Sequence, residues 1–398
     1  MRSVSALIIG GGVIGLSTAY HLARKGFGHI LLLEKDAIGA GSSSRAGGII
    51  TSLLWTETGV LARKISLELY RELSDELPAY RFRDVGCLNL FDPPAWPERS
   101  ALLPLYDRLA APYAILDAQE LRYRWPALTP DDEIIGLHDP LGGYSEPAEY
   151  ISALAQRVEE LGVEVRQGVT VTGLIEQHGR ITGVTTLDGR LEADVVICTT
   201  HAWTHNVLAK LGIIIPMKAF VHQRYVTTEL PTSVGLPAIN ANPQGGYIRP
   251  AAGNRLLAGG ETAEREEHRI ASLDFQMSVL DAPEQVKHDL SVNLTPLVPA
   301  LEQSKWEDEQ VGLICFSMDG EPILGPVDGY PGLLLGCAFH SGGFAYNPVA
   351  GLLLAELATK GHTSIDISAF SPNRFAADTA ANYLATTVTQ ADAVRRRH

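Results

Sequence analysis

Hydrophobic positions along the chain fall into short unbroken runs separated by amphipathic stretches. Residues 4–9 (VSALII) form an apolar run that ends in Gly10-Gly11-Gly12. Leu16, Ala19, Tyr20, Leu22 and Ala23 then recur at helical spacing, and Ile30 to Leu33 form a second apolar run closed by Glu34. This pattern predicts a strand, a helix and a buried strand in one βαβ unit. An amphipathic helix is predicted over about 61–77. Residues 81–144 are rich in Pro, Arg and aromatics and show no strand–helix alternation. The pattern resumes with a helix over 147–161, strands within 163–175, a strand at 191–198 and a helix from about His201 to Leu211. Residues 216–260 read as β-rich, with runs at 219–228, 247–249 and 255–258, and 264–290 as charged and helical in parts. A buried strand at 332–337 and a helix at 344–360 close the series. The chain is therefore predicted to be α/β, with one discontinuous domain (1–80, 145–215 and 325–398) interleaved with an antiparallel β-sheet domain (81–144 and 216–324). Neither repeats nor low-complexity segments interrupt this order.

Bulk properties narrow the function. The 398 residues are 45% hydrophobic, enough for a sizeable core, and carry a formal charge of −14 from 46 acidic and 32 basic side chains. A chain this acidic repels phosphate backbones, so no nucleic-acid partner is expected. Four cysteines (Cys87, Cys198, Cys315, Cys337) lie far apart without metal-ligand spacing, so neither a metal site nor a disulfide framework is expected. The start does not read as a signal peptide and no run is long enough to span a bilayer, so a cytoplasmic location without a membrane partner is expected. The basic tail Arg395-Arg396-Arg397-His398 reads as a solvated end.

Gly10, Gly12 and Gly15 make G-x-G-x-x-G directly after a strand and at the opening of a helix. Gly10 permits the tight turn, Gly12 lets the backbone approach a pyrophosphate, and Gly15 lets helix and strand pack closely. Glu34, at the end of the next strand, suits ribose hydroxyls. Strand, helix and acid together make a Rossmann-like dinucleotide fingerprint. The following run, Gly39-Ala40-Gly41-Ser42-Ser43-Ser44-Arg45-Ala46-Gly47-Gly48, offers amides and hydroxyls for a second phosphate contact that a simple NAD domain does not need. This favours FAD.

The fingerprint, Glu34 and the Ser-Ser-Ser-Arg-Ala-Gly loop together resemble the D-amino acid oxidase superfamily of flavoenzymes. Further segments agree in order: Gly143-Tyr144-Ser145-Glu146-Pro147, Ala193-Asp194-Val195-Val196-Ile197 with Ala202-Trp203, Tyr247-Ile248-Arg249-Pro250 with Arg255-Leu256-Leu257-Ala258-Gly259, Asp319-Gly320-Glu321-Pro322-Ile323-Leu324-Gly325, and Ser341-Gly342-Gly343-Phe344 with Pro348 and Gly351. The chain is most similar to the glycine oxidase and sarcosine oxidase branches; residues 366–374 (DISAFSPNR) are like monomeric sarcosine oxidase.

The resemblance implies that the discontinuous domain binds FAD and the sheet domain binds substrate. It assigns the cofactor to Gly10, Gly12, Val13, Ile14, Gly15, Glu34 and Lys35, to Ser42, Ser43, Ser44, Arg45, Gly47 and Gly48, and to Val169, Thr199, Trp203, Gly312, Asp319, Gly342, Gly343 and Phe344. The implied chemistry is hydride transfer to flavin from the carbon beside an amine nitrogen, the imine then being hydrolysed, with glyoxylate release where the substrate is an N-substituted glycine. A small-molecule amine is the expected partner and O₂ the expected electron acceptor; a homo-oligomer is compatible with the sequence. Two alternatives stay open: a dehydrogenase of proline or a 2-hydroxy acid that passes electrons to a partner, and a flavin-bearing subunit with a structural role.

The sequence departs from the family where substrate is held. Arginines that grip the carboxylate in glycine oxidases fall at Ile314 and near Ser341, and the corresponding lysine of monomeric sarcosine oxidase falls at Ala345. The covalent flavin cysteine falls at Gly312, so the cofactor is expected to be non-covalent. The lysine linked to oxygen activation falls near Leu257, and His201 replaces a glycine. Tyr247, Arg249 and His340 are the remaining catalytic-site candidates, with Arg249 the expected carboxylate partner on the same strand face as Tyr247. Glu261 is a further candidate for a cationic amine. The missing anchors suit larger carboxylate-bearing secondary amines over glycine or sarcosine.

Overall fold

The computed structural model describes residues 4–260 and 265–389. Glu261 and the basic tail lie outside them. The first sheet is built on five parallel strands. Val4–Ile9 lies between Ile30–Leu33 and Gly189–Cys198, with Glu164–Arg166 beyond the former and Leu333–Cys337 beyond the latter. In chain order these strands run 3-2-1-4-5, so the order reverses between Val4–Ile9 and Gly189–Cys198. Ile323–Pro326 adds an antiparallel edge, and Val171–Gln177 with Arg180–Thr186 forms a meander on the outer part of Gly189–Cys198.

The unbroken apolar runs reflect burial on both faces. Ala6, Ile8, Ile30 and Leu32 face a core shared with the helices Val13–Arg24, Glu57–Glu76, Pro147–Glu160 and Gly343–Lys360. Leu7, Ile9, Leu31 and Leu33 face a second core with the meander, Trp203 and Val207. Adjacent strand residues point to opposite faces, so a two-sided sheet needs apolar residues at every position.

The second sheet has eight strands, in the order Trp306–Ser317, Met217–Thr227, Arg255–Gly260, Gly246–Ala251, Ala238–Ala241, Cys87–Phe91, Ile135–Asp139, Ala114–Leu116. Every neighbouring pair is antiparallel except Ala238–Ala241 with Cys87–Phe91, which run parallel. A small sheet of Ile49–Ile50, Gly143–Ser145 and Phe82–Arg83 lies outside both.

Two local expectations need correction. The amphipathic helix predicted from residue 61 begins at Glu57, because the Thr56 hydroxyl accepts from the Gly59 amide and caps it. The helix predicted over 201–211 is three short pieces, His201–Trp203, Thr204–Leu208 and Ala209–Leu211; only the middle one is α-helical, and Gly212 closes the last with φ +66°. All four cysteines are buried and unpaired. No helix among the described residues is long and apolar enough to cross a membrane.

Candidate active site

A cleft of about 1900 Å³, open mouth included, runs from the strand reversal of the first sheet to the face of the second. Parallel sheets bind ligands at such a reversal, outside the carboxyl ends of the strands. Gly10 leaves Val4–Ile9 with φ +105°, a conformation that favours glycine, and a Cβ there would lie 2.9 Å from the Thr199 carbonyl oxygen. Thr199 closes the opposite strand, and its hydroxyl donates to Ile9 O at 2.9 Å. Gly15 is behind the cleft wall, where a Cβ would sit 1.9 Å from Gly10 O. It sets the helix–strand distance and does not line the cleft.

Gly12 is the N-cap of Val13–Arg24, without a side-chain cap, so the positive end of the helix faces the cleft beside Gly12, Val13 and Ile14. The Ser43 hydroxyl accepts from Val13 N at 3.0 Å and joins the Gly/Ser loop to this turn. Glu34 accepts from Gly11 N at 2.7 Å through Oε2 and from Asp36 N at 2.8 Å through Oε1. Burial raises its pKa and the two amides pull it back. Each oxygen keeps a second lone pair for a ribose hydroxyl. Lys35 lies 4.8 Å from the Trp203 ring centroid, and both line the cleft with Val169. The Trp203 indole N–H is buried without a partner among the described residues, a donor left for a ligand. Glycines without side chains at the turn, a helix N-terminus, a diol-binding carboxylate and this donor all fit FAD.

The Gly/Ser loop also ties the two sheets together. Ser42 donates to Leu313 O at 2.7 Å, and Arg45 donates to Val311 O and Gly41 O, both at 2.7 Å. Burial lowers the Arg45 pKa, with Arg224 adding to the effect. Gly312 lies opposite, and a Cβ there would meet Arg45 Cδ at 2.7 Å. Ser44 does not line the cleft; its carbonyl accepts from Arg224.

At the far end stand Tyr247, His222, Asn240, Arg63 and His340, with Gly47, Gly48, Gly343 and Phe344 beside them. Tyr247 stacks on His222 with ring centroids 6.0 Å apart and 20° between planes. Gly47 and Gly259 make room for it, since a Cβ at either would lie within 2.6 Å of the ring. Burial pushes the Tyr247 hydroxyl up to about 12, against the pull of Arg224 and Arg249. His340 has φ +45° and its Nδ1 accepts from Gly342 N at 3.1 Å. His201, also left-handed at φ +47°, lies 3.2 Å through Nε2 from Leu313 O, and burial lowers its pKa. Ile314 and Ser341 line the cleft; Leu257 and Ala345 do not.

Three candidates are placed elsewhere. Arg249 is 0% exposed and grips Glu146 bidentately, at 2.8 and 3.1 Å, while donating to Gly47 O. Burial alone would raise the Glu146 pKa; the Arg249 charge, its hydrogen bonds and the Ala252 amide outweigh this and hold it low. Arg249 is thus a buried cation already matched by a carboxylate, and it is not among the residues that line the cleft. Asp319 does not reach the cleft either. It takes two hydrogen bonds from Arg374 and one each from Ser317 and Glu321 N, and so fixes the turn before Ile323–Pro326. Gly342 faces Arg63 instead of the cleft wall. Arg63 and His222 are cleft residues the sequence reading missed. The available signal for Arg63 was its register, because it falls on the buried stripe Gly59, Val60, Arg63, Ser66, Leu67, Tyr70 of its helix.

The family model for DAO, FAD dependent oxidoreductase, matches residues 5–357. A 4-methylaminobutanoate oxidase (formaldehyde-forming) of Paenarthrobacter nicotinovorans is 28% identical, over 94% of this chain and 46% of that protein. The mitochondrial sarcosine dehydrogenase of Homo sapiens is 25% identical, over 94% of this chain and 41% of that protein. The chain thus spans less than half the length of these two relatives. Glycine oxidase of Pseudomonas putida is 28% identical, over 93% of this chain and 98% of that protein. The crystal structure of L-proline dehydrogenase from P. horikoshii shares the fold, with a TM-score of 0.86, 24% identity and coverage of 94% of this chain and 98% of that one. With strand order, cleft and family model in agreement, this chain belongs to the DAO family of FAD-dependent oxidoreductases.

Proposed function

We propose that the protein oxidises the C–N bond of an amino acid or an N-substituted glycine-type secondary amine, with non-covalent FAD as electron acceptor. The observation that carries this reading is the continuity of one cleft from the glycine turn at Gly10 and Gly12 to the chamber at Tyr247, His222 and Arg63. Bound FAD would supply the two-electron acceptor for hydride leaving the carbon beside nitrogen. Gly10, Gly12 and the N-terminus of Val13–Arg24 would hold its pyrophosphate, and Glu34 its ribose. Gly312 offers no nucleophile for a covalent link, and Cys315 is buried off the cleft.

In the chamber, the chain would select a neutral amine. The acidic residues that line the cleft among those described are Glu34 and Asp36, both at the opposite end. Arg63 makes the chamber electropositive, which disfavours an ammonium and favours the free amine that hydride transfer requires. Tyr247 Oη is a neutral donor there, able to orient a carboxylate or amine. The similar proteins are named for 4-methylaminobutanoate, sarcosine, glycine and proline, each an amine that bears a carboxylate. The division into an FAD-binding part (1–80, 145–215, 325–398) and a substrate-binding part (81–144, 216–324) belongs to the same proposal.

Anaerobic mixing of the yellow protein with a panel of amino acids, N-alkyl amino acids and 2-hydroxy acids tests the reading. Bleaching of flavin absorbance by amines alone is expected. Bleaching by 2-hydroxy acids alone, or by nothing in the panel, would overturn it. Peroxide released in air then assigns O₂ as acceptor; its absence with turnover on an artificial dye assigns a dehydrogenase.

A further inference from the structure

Two side chains meet the cleft with acceptors alone, because a buried partner takes their hydrogens. Thr51 follows strand Ile49–Ile50, is buried and lines the cleft. Its hydroxyl donates to Asp139 Oδ2 at 2.8 Å. Asp139 ends strand Ile135–Asp139, is fully buried, and takes three further donors, from Ser52 N, Ser52 Oγ and Leu141 N. A carboxylate so surrounded acts as an acceptor only, and it holds the Thr51 hydrogen away from the cleft. One Thr51 lone pair accepts from Leu53 N at 3.2 Å, and the other is left.

Asn240 is oriented in the same way. It lies opposite Tyr247 in the antiparallel pair of Ala238–Ala241 with Gly246–Ala251, so the two side chains emerge side by side. Its Nδ2 donates to Asn89 Oδ1 at 2.8 Å and to Cys87 Sγ at 3.9 Å, which uses both amide hydrogens. Its Oδ1 accepts from none of the described residues, and Asn240 lines the cleft. Asn89 and Cys87 are fully buried, and Cys87 is the register partner of Asp139. The groups that orient Thr51 and Asn240 therefore adjoin in the sheet behind the chamber.

Only a hydrogen satisfies an acceptor, and a neutral amine nitrogen brings a number fixed by its substitution: two when primary, one when secondary, none when tertiary. A primary amine that gives both keeps its lone pair, the pair that forms the C=N bond as hydride leaves. An N-methyl group in place of a hydrogen sets carbon against an oxygen, and a buried acceptor left unpaired is costly.

We propose that Thr51 and Asn240 are specificity-determining residues that read the substitution of the substrate nitrogen, favouring primary over secondary and secondary over tertiary amines. Asp139, Asn89 and Cys87 are positioning residues behind them. The proposal rests on the amine-oxidising reading and narrows it to a class of amine; the ranking is a property of binding and is tested without turnover.

The test uses FAD-loaded protein reduced with dithionite under argon, so that no amine is consumed. Racemic alanine, N-methylalanine and N,N-dimethylalanine are titrated by calorimetry, and affinities are compared for the free base of each. Wild type is expected to rank them in that order, each lost N–H weakening binding roughly two- to tenfold, the worth of one neutral hydrogen bond. Thr51→Val and Asn240→Leu should each weaken alanine by one such step and leave N,N-dimethylalanine unchanged, while Thr51→Ser, which keeps the hydroxyl, retains the wild-type order. Where Thr51→Val or Asn240→Leu fails to fold, the ranking in wild type and in the other variant decides. Equal affinities in wild type, tighter binding of an N-methylated probe, or no binding of any probe overturns the proposal. So does a wild-type ranking preserved in both Thr51→Val and Asn240→Leu, which would place the acceptors elsewhere. If the ranking holds while every amine leaves the oxidised flavin unbleached, the amine-oxidising reading fails and the two acceptors stand.

Discussion

The two ends of the cleft are built by different means. At the strand reversal, the backbone forms the surface: Gly10 and Gly12 withhold side chains at the turn and the helix end, and Gly15 lets the helix pack against Gly10 behind them. In the chamber, side chains do it, and each arrives from a different element. Tyr247 and His222 come from two strands of the second sheet, Arg63 from helix Glu57–Glu76, and His340 from the turn before helix Gly343–Lys360. A backbone site tolerates few substitutions, since the chain path is the site. A side-chain site can be rebuilt from another element without moving the fold. Ile314 and Ser341 line the chamber without a charge, and Arg63 brings a cation to it from helix Glu57–Glu76.

The sharpest way to break this contrast is at the backbone end. Gly15→Val puts carbon where 1.9 Å separates Cβ from Gly10 O, and no side-chain rotation relieves a clash with a carbonyl. We expect soluble protein without FAD, or none at all, measured as the flavin-to-protein ratio after gel filtration. Normal flavin content would show that the helix can shift, and the backbone end would lose its rigidity. The next effect is at the boundary between the two ends. Arg249→Met strands Glu146 in a buried pair, which costs about 3–5 kcal/mol. The loss should show as a lower Tm with KM for carboxylate-bearing amines little changed in the surviving holoprotein. An unchanged Tm with a strongly raised KM would return Arg249 to the role of anchor.

The same contrast explains what could be read from the sequence. The apolar runs at 4–9 and 30–33, the three glycines and Glu34 are local, and their chemistry follows from their spacing. Arg249 was placed on the Tyr247 side of its strand by alternation, and both residues do approach Gly47. Its partner Glu146 is 103 positions earlier, and a contact over that separation leaves no mark in either segment. Asp319 is in a segment expected to touch the cofactor, yet it holds a turn through Arg374. Arg63 was legible in principle, as a charge on an otherwise buried helical stripe. It meets Gly342, 279 positions later, which pattern alone does not connect.

A smaller effect sharpens the backbone end. Glu34→Ala removes the acceptor of the Gly11 and Asp36 amides together with the proposed ribose partner. Hydrogen bonds to a charged group are worth about 1–3 kcal/mol, so FAD affinity should fall by that amount in a fluorescence titration of the apoprotein. Retention of FAD at wild-type affinity would mean that the loop amides carry the ribose end without the carboxylate.

The smallest expected effect falls on Tyr247. Its hydroxyl, pushed up to about 12 by burial, stays protonated below that pH. It therefore acts as a neutral donor through the range in which an enzyme assay is run, and its loss removes one neutral hydrogen bond, about 0.5–1.5 kcal/mol. Tyr247→Phe should raise KM by roughly two- to tenfold, the equivalent of that energy, and leave the shape of the pH profile unaltered. Stacking on His222 should survive, because the ring and its 6.0 Å spacing do not need the hydroxyl. The sign of the pH test follows from the raised pKa: a protonated donor is present at every pH below about 12, so no limb of the profile between pH 6 and 10 belongs to it. A basic limb present in wild type and missing in Tyr247→Phe would show that the phenol ionises during turnover. That would make Tyr247 a proton-transfer group, with Arg224 and Arg249 lowering its pKa more than burial raises it.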